Sequence, residues 1–315
     1  MVRLPRILIA EPLDFSAAAV AALKKVADVE LRECDAAALR SAMMEFDVVW
    51  LRLAHRLDRS YFRQEMRCRI IAVPVTGLDH IDLEACAAHQ VRVLSLRGEV
   101  EFLKEIRATA ELTIGLTLSL LRQIPAAADS VRKGHWDRDR FRGTELFGKT
   151  VGLVGMGRLG SLVAGYFRAF GMRVLGYDPR PDFPGERAEP VASLAELLNQ
   201  ADLVSLHATY QPETQHLIDD NAFRQMKAEA ILINTARGGL VQEWALLEAL
   251  RSGRLAGAAL DVVESEPRAS AELLEYARNH DNLLIVPHIG GNTRESFAKT
   301  ELFLANKVAA ALHGG

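Results

Sequence analysis

Three clusters of residues in this 315-residue chain have the types and spacing to do chemistry. The first is Gly155-Met-Gly157-Arg-Leu-Gly160, with an acid, Asp178, 18 residues beyond the last glycine. A TVGLV run precedes it, the helical pattern SLVAGYFRAFG follows, and MRVLGYD reads as a second strand ending at Asp178. In that setting each glycine has its own reason. Gly155 permits the tight turn, Gly157 lets the main chain approach a pyrophosphate, and Gly160 lets the helix pack closely on the sheet. The helix N-terminus supplies N–H groups and a positive dipole end for the phosphate. Asp178 would accept hydrogen bonds from an adenosine ribose and repel a 2′-phosphate. The motif therefore favours NAD over NADP, while Arg180, two residues on, argues the other way.

The other clusters lie where apolar runs end, and in open α/β sheets ligands bind at the carboxyl ends of strands. ILINTARGGLV runs a strand into Asn234-Thr-Ala-Arg237-Gly238-Gly239, and the planar fork of Arg237 suits a carboxylate. GAALDVVESEP ends a strand at Asp261 and sets Glu264 and Glu266 before Pro267; LLIVPHIGGNT caps one with His288 before two glycines. Taken singly, Arg237 could be a helix cap, Asp261 a capping residue and His288 a turn residue.

Positioning these residues requires alternating strands and helices. RILIA (6–10), DVVWL (47–51), IIAV (70–73) and VRVL (91–94) read as strands in the first third, with helical patterns at 16–26, 35–43 and 82–89 and Ser16 as an N-cap. Residues 104–133 read as one long helix that Pro125 could kink. KGHWDRDRFRGTELFGK reads as an irregular connector. Strands resume at 150–154, 172–177, 203–206, 230–234, 257–260 and 283–286, and a last helix spans about 293–312. Regular alternation implies right-handed crossovers and mostly parallel sheets.

Composition limits the alternatives. Hydrophobic residues make up 49% and charged residues 25%, an ordinary globular balance, and the length suits two domains. A formal net charge of −3 argues against a whole-protein electrostatic fit to nucleic acid. No apolar run reaches the ~18–20 residues of a membrane span. Three scattered cysteines, Cys34, Cys68 and Cys86, suit reduced thiols rather than a disulfide framework or a metal site. The expectation is a cytoplasmic protein with no metal, no nucleic-acid partner and no membrane partner.

The order GxGxxG, acid, NTARGG, LDVVESEP, VPHIGGNT resembles the D-isomer-specific 2-hydroxyacid dehydrogenase family, well over residues 70–312 and only in pattern before that. The resemblance implies two Rossmann-like or flavodoxin-like α/β domains with parallel sheets and an active site in the interdomain cleft. A discontinuous substrate-binding domain would take residues 1–98 and 289–315, and an NAD-binding domain residues 99–288. The resemblance also implies NAD-dependent interconversion of a D-2-hydroxy acid and its 2-keto acid. By motif, His288 would be the proton donor and acceptor, Glu266 would orient it, and Arg237 would grip the substrate carboxylate. Arg158, Leu159, His207, Ala236 and Asp261 would join Gly155, Gly157, Gly160 and Asp178 around the cofactor.

On the substrate side, the resemblance points to Thr76 and Gly77. Arg52, His55 and Arg56 stand where members commonly have small polar residues, so Arg52 is a candidate for an anionic substrate. RGEVEFLKEIRATAEL runs about five residues longer than the usual linker and carries Lys104 and Arg107. The resemblance implies a homodimer and no C-terminal regulatory domain. The competing reading is an NAD(H)-sensing scaffold, resembling corepressors built on the same fold.

Overall fold

The computed structural model describes residues 3–180 and 186–313. The chain divides into two compact units, Met1–Ile106 with Thr293–Gly315, and Arg107–Asn292.

In the first unit, β1 (Arg6–Ile9), β2 (Asp28–Leu31), β3 (Val48–Trp50), β4 (Ile70–Val73) and β5 (Arg92–Ser95) form one sheet in the order β2-β1-β3-β4-β5. All its pairings are parallel. The central strands β1, β3 and β4 are apolar and almost wholly buried, as a parallel sheet covered on both faces requires. On one face pack α1 (Ala17–Leu23) and the C-terminal helix Arg294–His313, through Ala19, Leu23, Leu304 and Val308. The other face buries Leu39, Met43 and Phe46, of α2 (Ala36–Glu45) and its end, and Ala85 and Cys86 of α3 (Leu83–Ala88). Helix starts follow local chemistry: Ser16, Asp35 and Asp82 each accept a main-chain N–H of their helix's first turn.

The second unit holds β6 (Thr150–Val154), β7 (Arg173–Tyr177), β8 (Glu189–Pro190), β9 (Leu203–Leu206), β10 (Ile231–Asn234), β11 (Gly257–Leu260) and β12 (Leu283–Ile285). Their order is β12-β11-β10-β9-β6-β7-β8, again parallel throughout. The chain builds outward from β6 to β8, then returns to place β9 on the other side of β6. The strand order therefore reverses between β6 and β9, which opens a crevice at their carboxyl ends. Among the described residues, no helix is long and apolar enough to cross a membrane.

The expected single helix over 104–133 is broken into α5 (Ala108–Leu121) and α6 (Ile124–Arg132), and a separate short helix, α4 (Val100–Leu103), precedes them. The break is at Gln123, in the left-handed region (φ +49°), and Pro125 sits in the first turn of α6. A proline there starts a helix rather than kinking one, because the first turn needs no N–H from it. The Phe102 ring of α4 stacks on Phe303, with ring centroids 4.0 Å apart. Strands β2 and β8 were not expected: DVEL has no apolar run, and β8 is a two-residue edge.

Candidate active site

The glycine turn lies between β6 and α7 (Arg158–Ala169), on the β6/β9 crevice. Gly155 has φ +93°, and a Cβ there would lie 2.6 Å from the Ala208 nitrogen. A Cβ on Gly160 would lie 2.1 Å from the Gly155 carbonyl oxygen, so the helix rests directly on the turn. Gly157 differs: nothing lies within 4 Å of the place a Cβ would take. The turn is packed from behind and open at Gly157. The N-cap of α7 is Gly157 itself, which has no side chain to cap the helix, so the N-terminus of α7, with Arg158 and Leu159 in its first turn, lies at that opening. This cradle fits a dinucleotide pyrophosphate.

Asp178 follows β7 and reaches back to the same turn. Its Oδ2 accepts from the Met156 N–H (2.8 Å) and Arg180 Nη2 (2.8 Å), and its Oδ1 from the Arg180 N–H (3.1 Å) and Nε (2.9 Å). Burial pushes its carboxyl up, but these hydrogen bonds more than offset burial and hold it below the ordinary value. His207 ends β9 beside Gly155. Its N–H donates to Val154 (2.7 Å), its Nε2 lies 2.9 Å from Ser205 Oγ, and burial pushes its imidazole down to about 4.

The Arg237 turn leaves β10 at Asn234, a residue named in the sequence motif but given no role there. Asn234 is buried; its amide accepts from the Ala236 N–H (3.0 Å) and donates to the Arg237 carbonyl (2.9 Å). Thr235 is anchored to Thr113 through hydroxyls 2.8 Å apart. The signal for Asn234 was its place at a buried strand end before glycines. Thr113 gave none, because its partner is 122 residues away.

Asp261 ends β11 and is 2% exposed. Its Oδ1 accepts from the Ile289 N–H (2.6 Å), its Oδ2 from the Gly290 N–H (2.9 Å), and its carbonyl from the His288 N–H (2.8 Å). Burial raises its carboxyl above the ordinary value. It thus pins three successive main-chain groups and holds His288 in the left-handed region, at φ +53°. The His288 ring projects to Glu266, with Nδ1 2.7 Å from Oε2. The other Glu266 oxygen accepts from the Val263 N–H at 3.1 Å. A carboxylate at Nδ1 calls for a proton there, which leaves Nε2 as the nitrogen able to exchange one. Both side chains are partly exposed, so the ring is reachable.

In the first unit, Thr76 and Gly77 lie on the loop after β4, at the carboxyl edge of that sheet. Arg52 follows β3, but its guanidinium faces inward. Nε (3.1 Å) and Nη2 (2.5 Å) reach Oε1 of the fully buried Glu301, and Nη1 donates to the Leu13 carbonyl (2.8 Å). The charge lies 4.5 Å from the Phe297 ring centre. The sequence expectation placed Arg52 toward substrate; the structure gives its guanidinium these internal partners.

Comparison with known proteins agrees with this geometry. The family model for the NAD-binding domain of D-isomer-specific 2-hydroxyacid dehydrogenases matches residues 114–290. The D-3-phosphoglycerate dehydrogenase of Methanocaldococcus jannaschii is 36% identical over 315 residues, 98% of this chain and 58% of that protein. The chain thus spans little more than half the length of that relative. The TT0316 protein of Thermus thermophilus superposes with a TM-score of 0.85 at 34% identity, covering 98% of this chain and 97% of that one. The D-lactate dehydrogenase of Aquifex aeolicus, complexed with NAD and lactic acid, gives 0.83 at 30% identity, covering 98% and 96%. A cradle open at Gly157, a histidine oriented by a carboxylate, and these matches lead to one conclusion: the chain belongs to the D-isomer-specific 2-hydroxyacid dehydrogenase family.

Proposed function

We propose that this chain is an NAD-dependent oxidoreductase that interconverts a D-2-hydroxy acid and its 2-keto acid. The observation that carries the reading is the 2.7 Å contact between His288 Nδ1 and Glu266, on a turn pinned by buried Asp261. Such a pair keeps Nε2 ready to give a proton to a carbonyl oxygen and to take it back in the reverse direction. Bound nicotinamide supplies the hydride. Arg237, on a turn stapled by Asn234, presents a planar cation to the substrate carboxylate and to the charge developing on the carbonyl oxygen. Gly155, Gly157, Arg158, Leu159 and Gly160 hold the pyrophosphate; Asp178, His207, Ala236 and Asp261 line the rest of the cofactor site. Thr76 and Gly77 supply main-chain contacts to the substrate.

The substrate is a 2-hydroxy acid of the phosphoglycerate, glycerate or lactate type, or a larger one. The exposed Trp136, shortly after α6, suits the interface of a homodimer. The three thiols are all buried and unpaired, in keeping with a reducing cytoplasm. NADH oxidation measured against a panel of 2-keto acids, phosphohydroxypyruvate, hydroxypyruvate, glyoxylate and pyruvate included, tests the reading. Turnover of at least one is expected. Tight NADH binding without turnover of any would overturn it in favour of a sensor.

A further inference from the structure

Two acids precede Pro267, and the reaction above uses only Glu266. Glu264 has a histidine of its own: its Oε1 hydrogen-bonds Nε2 of His216. The arrangement parallels the neighbouring pair. Two acids, two positions apart on one segment, each engage an imidazole whose own backbone is left-handed, φ +51° at His216 and +53° at His288.

The Arg237 turn contacts the segments that carry this second pair. A Cβ on Gly238 would lie 2.0 Å from the Val263 carbonyl and 2.5 Å from the Glu264 nitrogen, so the turn packs directly on residues 263–264. A Cβ on Gly239 would lie 2.5 Å from the Tyr210 ring, so the turn also packs on the segment that leads to His216. The His216 N–H donates to the Gly239 carbonyl (2.8 Å), and the Ile218 N–H to Leu240 (2.9 Å). Glu264 is in turn fixed by its own N–H, which donates to Glu243 Oε1 at 2.8 Å. The His216–Glu264 contact closes the bracket around the glycines by linking the two segments they touch.

We propose that His216 and Glu264 form a clasp that sets the Arg237 turn and the Glu266 segment, as positioning residues that touch neither substrate nor cofactor. The proposal rests on the reading that Arg237 and Glu266 serve the reaction. The test uses the full chain with His216→Asn, Glu264→Ala, their double variant and Glu264→Gln. Asparagine tolerates the left-handed backbone but is too short to reach Glu264. Against a 2-keto acid that the unmodified chain reduces, each single variant is expected to lower kcat/KM about tenfold. The double variant should lose no more, because both remove the same link. Glu264→Gln, which still accepts from the imidazole, should stay within about threefold. NADH affinity should change less than about twofold, since the glycine turn is untouched.

Unchanged kcat/KM in both single variants, or losses that multiply in the double, would overturn the clasp. Amide hydrogen exchange at Ile218, whose N–H donates to the Leu240 carbonyl, and at Leu240, whose N–H donates to the Arg237 carbonyl, provides a second readout that needs no substrate. Exchange should quicken in both single variants, and unchanged exchange would overturn the clasp. If the unmodified chain reduces nothing, the functional reading fails and exchange alone decides the clasp.

Discussion

Asp261 Oδ2 accepts the main-chain N–H of Gly290 at 2.9 Å, and a Cβ on that glycine would lie 2.8 Å from the same oxygen. Asp261 thus holds the turn that carries His288 through main-chain N–H groups. Only a glycine at 290 permits that approach. Gly290→Ala should push the carboxylate off its donors, leaving buried groups unsatisfied at about 1–3 kcal/mol. Gly291→Ala is the control, because nothing lies within 4 Å of its added carbon. Thermal melting and turnover should fall for the first variant and stay near normal for the second. Equal melting of the two would dismiss the role given to Gly290.

The proposed function gives proton transfer to His288, on the strength of its contact with Glu266. His288→Ala should lower turnover by about 10²–10⁴-fold while NADH still binds. Glu266→Gln should lower it less, because the imidazole keeps a hydrogen-bond partner. Fluorescence titration of NADH beside steady-state rates separates the two effects. Near-normal turnover in His288→Ala would remove the histidine from the mechanism.

Arg180 holds both oxygens of Asp178, the acid proposed to read the adenosine ribose. Ribose binding therefore requires the half-exposed guanidinium to move aside. Arg180→Ala should tighten NADH binding a few-fold, and Asp178→Ala should weaken it and relax discrimination against NADPH. Loss of NADPH binding in Arg180→Ala, with NADH unchanged, would instead make the arginine a reader of the 2′-phosphate.

His207 predicts a pH dependence of stability. Its imidazole is pushed down to about 4, against about 6.5 for an ordinary histidine. Between those values the unfolded chain binds a proton that the folded chain refuses. Stability must therefore fall as pH drops from about 6.5 to about 4. His207→Gln should flatten urea midpoints across that window. Parallel curves for the two proteins would show that the ring is not held neutral.

The Arg52–Glu301 pair is a buried ion pair of the first unit, with side chains 14% and 0% exposed. Arg52→Ala leaves a buried carboxylate uncompensated and should destabilise by about 3–5 kcal/mol. Arg52→Ala combined with Glu301→Leu should recover part of that. Urea unfolding of the single and double variants measures the difference, and a double variant less stable than the single would refute the pairing account.

What could be read from the amino acids alone was whatever depends on local spacing. Buried parallel strands such as Ile231–Asn234 declare themselves as short apolar runs, and caps such as Ser16 as a hydroxyl before a helical pattern. GxGxxG located a strand-to-helix turn because a tight turn, an approach to phosphate and a close helix contact each require glycine at a set position. Strand β2 escaped because an edge strand is not buried on both faces and carries no apolar run. The break at Gln123 escaped because a single left-handed residue leaves no period to detect.

Only the tertiary structure could decide what each polar group faces. Arg52 is a cation in sequence; whether it meets solvent, substrate or Glu301, 249 residues away, depends on which helix packs over β3. Asp261 and Gly290 are 29 residues apart, and Glu264 and His216 are 48 apart. Hydrogen bonds require approach to within about 3 Å, and for residues so separated only the packing of strand ends brings that about. The sequence by itself determined which residue types stand at the strand ends, because periodicity and glycine placement are local. The fold decided which of them meet.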